Sequence, residues 1–213
     1  MILVMFYFLH TGEICIKTPV MKILIIYGTT EGQTRKVADF LKTAFEAHSH
    51  TVTLCDATAA PPSPVGFDVV IIGASMHMER YQDSVLHYIR EHHAALNTST
   101  SAFYSVSLTA AADDQASWGE IGVITDHFLK AGGWQPKVIE FVAGALRYAM
   151  YDFFKKFIMR QIAARNDPDA AKGMDKEYTN WEALSLFAAR MERLAASAPV
   201  TVCAEESDFE AVC

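Results

Sequence analysis

The chain has 213 residues, 51% hydrophobic and 20% charged, with 18 Lys and Arg against 25 Asp and Glu for a formal net charge of -7. That balance excludes a disordered chain and a small disulfide-held scaffold, and the length suits one domain with room for an insertion. It also argues against nucleic acid as a partner, because such binding needs a basic face to displace counterions from phosphates.

Cys15, Cys55, Cys203 and Cys213 form no C-x-x-C pair, so neither a zinc knuckle nor a dithiol motif is written, no metal is called for, and free thiols in a reducing cytosol are expected. The apolar run 1–9 has no Lys or Arg before it and falls far short of the roughly 20 residues that span a bilayer, so it reads as neither signal nor anchor. A fresh start at Met21-Lys22 directly precedes the first convincing strand, which leaves residues 1–20 as an extension of doubtful role.

Ile23 to Tyr27 (ILIIY) is a continuous apolar run of the kind that is buried on both faces of a parallel sheet. The loop 28–34 follows, and then a helix. Val37, Leu41, Ala44, Phe45 and His48 line one side of that helix, and Arg35, Lys36, Asp39, Lys42 and Glu46 the other. Thr51 to Leu54 is a second strand, Pro61 to Pro64 a rigid connection, and Val69 to Ile72 a third strand ending at Gly73-Ala74-Ser75. A helix is predicted from about Gln82 to Ala95 and a fourth strand over Ala102 to Leu108. Ser117-Trp118-Gly119-Glu120 has capping-box spacing at the head of a helix reaching Lys130, closed by Gly132-Gly133. Val138 to Val142 is a fifth strand, and Thr179-Asn180-Trp181-Glu182 is a second capping box opening a last helix to about Ala196. Alternation of this kind specifies an α/β protein with a doubly wound, five-stranded parallel sheet.

One stretch breaks the alternation. Residues 144–175 insert a long helical pattern and a polar loop, NDPDAAKGMD, between the fifth strand and the last helix. Leu146, Met150, Phe153, Phe154, Phe157, Ile158 and Ile162 form an apolar stripe, and Arg147, Lys155, Lys156, Arg160 and Arg165 make it the most basic part of an acidic chain. The same pattern serves a helix lying on an anionic membrane surface or one packed on the sheet with its basic side in water. Residues 199–213 show no sustained period and read as a peripheral tail.

Ligands of an open parallel sheet sit beyond the carboxyl ends of the strands, and the first strand-to-helix loop is the usual phosphate cradle. Here that loop has no Walker Lys and no G-x-G-x-x-G, which disfavours ATP and NAD. Thr29, Thr30, Glu31, Gly32, Gln33 and Thr34 instead offer hydroxyls, an amide and a glycine at a helix N-terminus, which suits a phosphate monoester held without a cationic side chain. An ordinary Ser/Thr-rich helix cap would have a similar composition. In its loop the chain resembles the flavodoxin superfamily, whose T/S-x-T-G-x-T loop binds the phosphate of FMN; Thr30-Glu31 stand where that pattern has one residue and then Thr. The resemblance implies a flavodoxin-like domain over 21–198, strand order 2-1-3-4-5, FMN as cofactor, and two further flavin loops after strands three and four. The first carries Ala74, Ser75, Met76 and His77. The second is reached through Phe103, Tyr104, Ser105, Val106 and Ser107. His77 reads either as a donor to a flavin carbonyl or substrate carboxylate or as a solvated loop residue, and Tyr81 either as a stacking or as a packing residue.

The blocks T-T-E-G-Q-T-R, I-G-A-S, S-A-F-Y-S-V, A-G-A-L-R-Y and Y-T-N-W-E, spread from Met21 to about Leu194, are similar to those of the bacterial quinone-dependent protoporphyrinogen IX dehydrogenase family. That resemblance implies oxidation of protoporphyrinogen IX in haem synthesis, electron delivery to menaquinone or ubiquinone, and peripheral attachment to the cytoplasmic face of the cell membrane. It makes Arg147 and Tyr148 the candidate substrate contacts, Arg147 through a bidentate pair with a propionate. The same loop would equally serve an electron carrier or quinone reductase with no tetrapyrrole substrate. Met76 to Arg80 and Ala110 to Asp114 depart from that family's Arg-Tyr-Gly turn and basic stretch. No catalytic acid or base stands out.

Overall fold

The computed structural model describes residues 19–111, 115–146 and 176–197. Its element order is β1 (Lys22–Gly28), α1 (Gln33–Ala47), β2 (Thr51–Asp56), β3 (Val69–Ser75), α2 (Asp83–Thr98), β4 (Thr100–Ser107), a 3-10 turn (Thr109–Ala111), α3 (Gln115–Gly132), β5 (Val138–Ala143), the two-residue strands β6 (Ala145–Leu146) and β7 (Lys176–Glu177), and α4 (Trp181–Ala196).

β1 to β5 form one all-parallel sheet in the order β2-β1-β3-β4-β5, as expected. Strands covered on both faces need apolar residues at every position, and β1, β3 and β4 are buried almost end to end. One face carries α1 and α4: Ile23, Ile25, Tyr104, Val138 and Val142 pack there against Val37, Leu41, Phe45, Phe187 and Met191. The opposite face carries α2 and α3: Leu24, Ile26, Val70, Ile72 and Phe103 meet Val85, Ile89, Leu96, Leu129 and Trp134. At the far end from the strand tips, the Met21 N–H donates to Nδ1 of the buried His50, and His50 Nε2 faces Glu192 of α4 at 3.4 Å.

Two helix starts differ from the sequence expectation. Ser117 is the third residue of α3 and is buried, so the S-x-x-E spacing there lies inside the helix instead of capping it. For α4 the cap is Asn180, whose Oδ1 accepts the Ala183 N–H at 3.0 Å; Thr179 instead donates its hydroxyl to the Ala143 carbonyl. Gly133, at φ +71, closes α3 as expected. Residues 1–18, most of the inserted segment and the tail from 198 lie outside the described residues. Among the described residues no helix is long and apolar enough to cross a membrane.

Candidate functional site

At the carboxyl ends of the strands, where the chain leaves the neighbouring strands β1 and β3 toward helices on opposite faces of the sheet, residues from three strand ends and the start of β6 line a cleft with roughly 410 Å³ of free space counting its open mouth. Its floor is the loop between β1 and α1. Gly32 is the N-cap of α1 at φ 88, a left-handed conformation open to glycine at little cost, and no side chain caps the helix. The first-turn N–H groups are therefore available to an anion, which the helix dipole favours. The Gly32 N–H itself donates to Thr29 Oγ1 at 2.9 Å, which shapes the loop.

Thr34, in that first turn, is fully buried, and its Oγ1 has no hydrogen-bond partner among the described residues. A buried hydroxyl without a partner is costly, and a phosphate oxygen at the cleft floor would satisfy it. The cradle thus fits the phosphate that the sequence suggested. Glu31 does not contribute in that way: its carboxylate turns toward the opposite wall, with Oε1 buried and 3.8 Å from His77 Nδ1. The Gln33 amide nitrogen is also engaged elsewhere, donating to Glu177 Oε1 at 3.0 Å and Thr179 Oγ1 at 2.9 Å, so both of its hydrogens are already committed.

The opposite wall is the end of β3. Ser75 Oγ accepts the Thr30 N–H at 3.2 Å, and Gln82 Nε2 bridges Ser75 Oγ and Thr30 Oγ1, tying the two loops together. Met76 is fixed by its N–H to the Val106 carbonyl at 2.8 Å. His77 to Arg80 form a tight turn with both backbone bonds between His77 and Arg80 made, and its central residues Met78 and Glu79 stand at φ 49 and 62. Two consecutive side-chain-bearing residues in the left-handed region store strain, which marks the rim of the cleft as a specialised turn.

Of the residues expected on the second flavin loop, Val106 and Ser107 reach the cleft. Phe103, Tyr104 and Ser105 lie deeper and do not line it, and neither does Ala74. Phe103 is packed with Tyr81, Phe128 and Trp134. The Tyr104 hydroxyl donates to the Thr34 carbonyl at 3.2 Å, bracing the cradle from beneath, and burial pushes its pKa well above the ordinary tyrosine range. Ser105 Oγ pairs with the Tyr81 hydroxyl at 2.8 Å; that hydroxyl also meets Thr125 Oγ1 at 2.7 Å, and burial raises its pKa. Tyr81 is therefore a packing residue, not a stacking one. Arg147 and Tyr148 lie outside the described residues.

Leu108, at the end of the stretch expected to lead into the second flavin loop, lines the cleft as well; Gly144 and Ala145 line it without having been expected there, and Gln82, Glu177 and Thr179 support it. Gly144 and Ala145 were visible as part of the A-G-A-L-R-Y block, though not as cleft lining.

A family profile described as Flavodoxin domain matches residues 24–171, well over half of the chain. The chain belongs to the flavodoxin-domain family. This flavodoxin-domain protein is 29% identical over 182 residues to the protoporphyrinogen IX dehydrogenase [quinone] of Leishmania major, covering 84% of this chain and 78% of that one. It is 29% identical over 175 residues to the protein of the same name from Escherichia coli K12, covering 82% of this chain and 96% of that one. Among solved structures it is similar to flavodoxin 2 from Bacillus cereus, with a TM-score of 0.46 and 18% identity over 81% of this chain and 99% of that one.

Proposed function

We propose that the protein is an FMN-dependent oxidoreductase that converts protoporphyrinogen IX to protoporphyrin IX in haem synthesis and passes the electrons to a membrane quinone, menaquinone or ubiquinone. The observation that carries this reading is the uncapped first turn of α1 with its buried, unpartnered Thr34 hydroxyl, in a chain whose relatives along more than four-fifths of its length are named for that reaction. The first-turn N–H groups and the hydroxyls of Thr29, Thr30 and Thr34 would hold the phosphate, while the 75–77 and 106–108 loops would flank the ring. Tyr104 would keep the cradle in place from below. FMN, when bound, supplies a two-electron acceptor, so a six-electron oxidation takes three turnovers, each completed by a quinone.

Arg147, at the start of the inserted segment, is the residue assigned to a substrate propionate, with Tyr148 beside it, because a guanidinium pairs bidentately with a carboxylate. The apolar stripe and basic residues of 146–165 support reversible attachment of the protein to the anionic, cytoplasmic face of the membrane, where the quinone is dissolved. The test follows porphyrin fluorescence without oxygen, with and without a menaquinone analogue, for wild type, Arg147→Ala and a Gly32 variant unable to retain FMN. Porphyrin should form only in FMN-loaded protein given the quinone, and more slowly with Arg147→Ala. FMN-loaded wild type that reduces quinone with other donors but makes no porphyrin would leave a quinone reductase or carrier in its place.

A further inference from the structure

The cradle and the root of the inserted segment are joined by a chain of side chains. β6 and β7 pair antiparallel, Ala145 with Glu177 and Leu146 with Lys176, and form a stem from which residues 147–175 depart. The Tyr178 N–H donates to the Gly144 carbonyl at 3.1 Å, and the Thr179 hydroxyl to the Ala143 carbonyl at 2.7 Å, so the stem is bonded to the end of β5 at the cleft. Glu177 then reaches across to α1: one carboxylate oxygen accepts the Gln33 amide at 3.0 Å and the other pairs with Lys36. Lys36 is held on its other side by the Trp181 ring, whose centroid is 5.5 Å from Nζ. Gln33 opens the turn whose N–H groups face the phosphate, and the Lys36 N–H closes that turn on the Gly32 carbonyl at 3.1 Å.

We propose that Glu177 is a positioning residue that locks the stem to the first turn of α1, so that loading the phosphate cradle and closing the stem strengthen each other. The proposal rests on the FMN reading for the identity of the anion, but the mechanical coupling is a property of the chain itself. A two-pair ladder has few bonds of its own to hold it. The charge-assisted bonds of Glu177 supply the missing rigidity, and the same bonds fix Gln33. Hydrogen bonding from Lys36 holds the Glu177 carboxyl below its usual pKa against the opposing effect of partial burial, with Gln33 adding to the lowering. Binding at one end of such a unit must favour the other end by the same factor.

The experiment follows backbone amide exchange residue by residue by NMR in the full chain, for wild type, Glu177→Ala and Lys36→Met, with and without FMN. In flavin-free Glu177→Ala the Tyr178 and Lys36 amides should exchange faster together, by about threefold, the scale set by an ion pair open to solvent, while the β1–β3 ladder is unchanged. Lys36→Met should reproduce this, and the double variant should add little to either single one. FMN should slow the Tyr178 amide in wild type only, and Glu177→Ala should bind FMN about fivefold or more weakly by fluorescence quenching. Opening of Tyr178 without Lys36 would overturn the proposal. So would tighter FMN binding by Glu177→Ala, which would mean that Glu177 serves to withdraw the Lys36 charge from the phosphate. Coupled opening in a protein that binds no FMN would refute the cofactor reading and leave the lock standing.

Discussion

Replacing Thr34 by Val should move stability and cofactor affinity in opposite directions. The swap exchanges a hydroxyl for a methyl group at a fully buried position whose Oγ1 has no partner among the described residues. An unsatisfied buried polar group costs about 1–3 kcal/mol, so the flavin-free variant should gain on the order of 1 kcal/mol, raising Tm by about 2–4 °C for a chain of this size. A hydrogen bond to a charged group is worth about 1.5–3 kcal/mol, so the FMN dissociation constant should rise about 10- to 100-fold. The Tyr104 bond to the Thr34 carbonyl is made to the backbone and is untouched by the swap. Thermal melting of flavin-free protein and fluorescence-quenching titration with FMN read the two effects separately. A lower Tm together with unchanged FMN affinity would show that the hydroxyl serves the fold and that the cradle argument is wrong.

A Cβ at Gly73 would stand 1.8 Å from Cζ of the Tyr104 ring, so Gly73→Ala should displace the ring, cost about 2 kcal/mol or more in urea unfolding, and weaken FMN binding through the lost brace on Thr34; an unchanged midpoint would mean that the ring has slack. Burial raises the Glu140 pKa, with Arg190 pulling the other way, so the folded state binds this proton more tightly than the unfolded one and loses stability as pH rises from the unfolded to the folded pKa. Glu140→Gln should therefore be more stable than wild type at pH 7, with the difference closing below about pH 4, as denaturation at the two pH values would show. Charge reversal at Lys155, Lys156 and Arg160 should release the protein from anionic vesicles in a sedimentation assay, since each cation near such a surface contributes about 1 kcal/mol; equal sedimentation of wild type and variant would remove the membrane role.

The strand and helix order was legible because strands buried on both faces must be written as unbroken apolar runs, and Ile23 to Tyr27 is one. The composition of the loop left a phosphate cradle and an ordinary helix cap open, and what separates them is visible only in the structure: no side chain caps α1, and the buried Thr34 hydroxyl has no partner among the described residues. Phe103, Tyr104 and Ser105 were read one layer too shallow: β4 is buried along its whole length, and only its last residues, Val106 and Ser107, emerge into the cleft. The S-x-x-E spacing at Ser117 misled because the same spacing puts two residues on one face inside a helix, and burial of Ser117 decides between the two. At Thr179-Asn180 two adjacent residues could each cap α4, and the bond from Thr179 to Ala143 leaves Asn180 to do so. Glu177 meets Gln33 and Lys36 across more than 140 residues, a separation at which local spacing carries no information.

The pairing of Leu146 with Lys176 also makes the inserted segment removable in principle. Neighbouring residues of an antiparallel pair can be joined by a two-residue turn such as Asn-Gly, so residues 147–175 can be replaced by that dipeptide without moving either strand. The shortened chain would keep Gly144, Ala145 and the whole cradle while lacking Arg147, Tyr148 and the basic stretch. It would thus divide the protein into a flavin holder and an appended module, and transplanting residues 147–175 onto the equivalent hairpin of another flavin-binding chain would ask whether the module confers the proposed affinity for substrate and lipid on its new host.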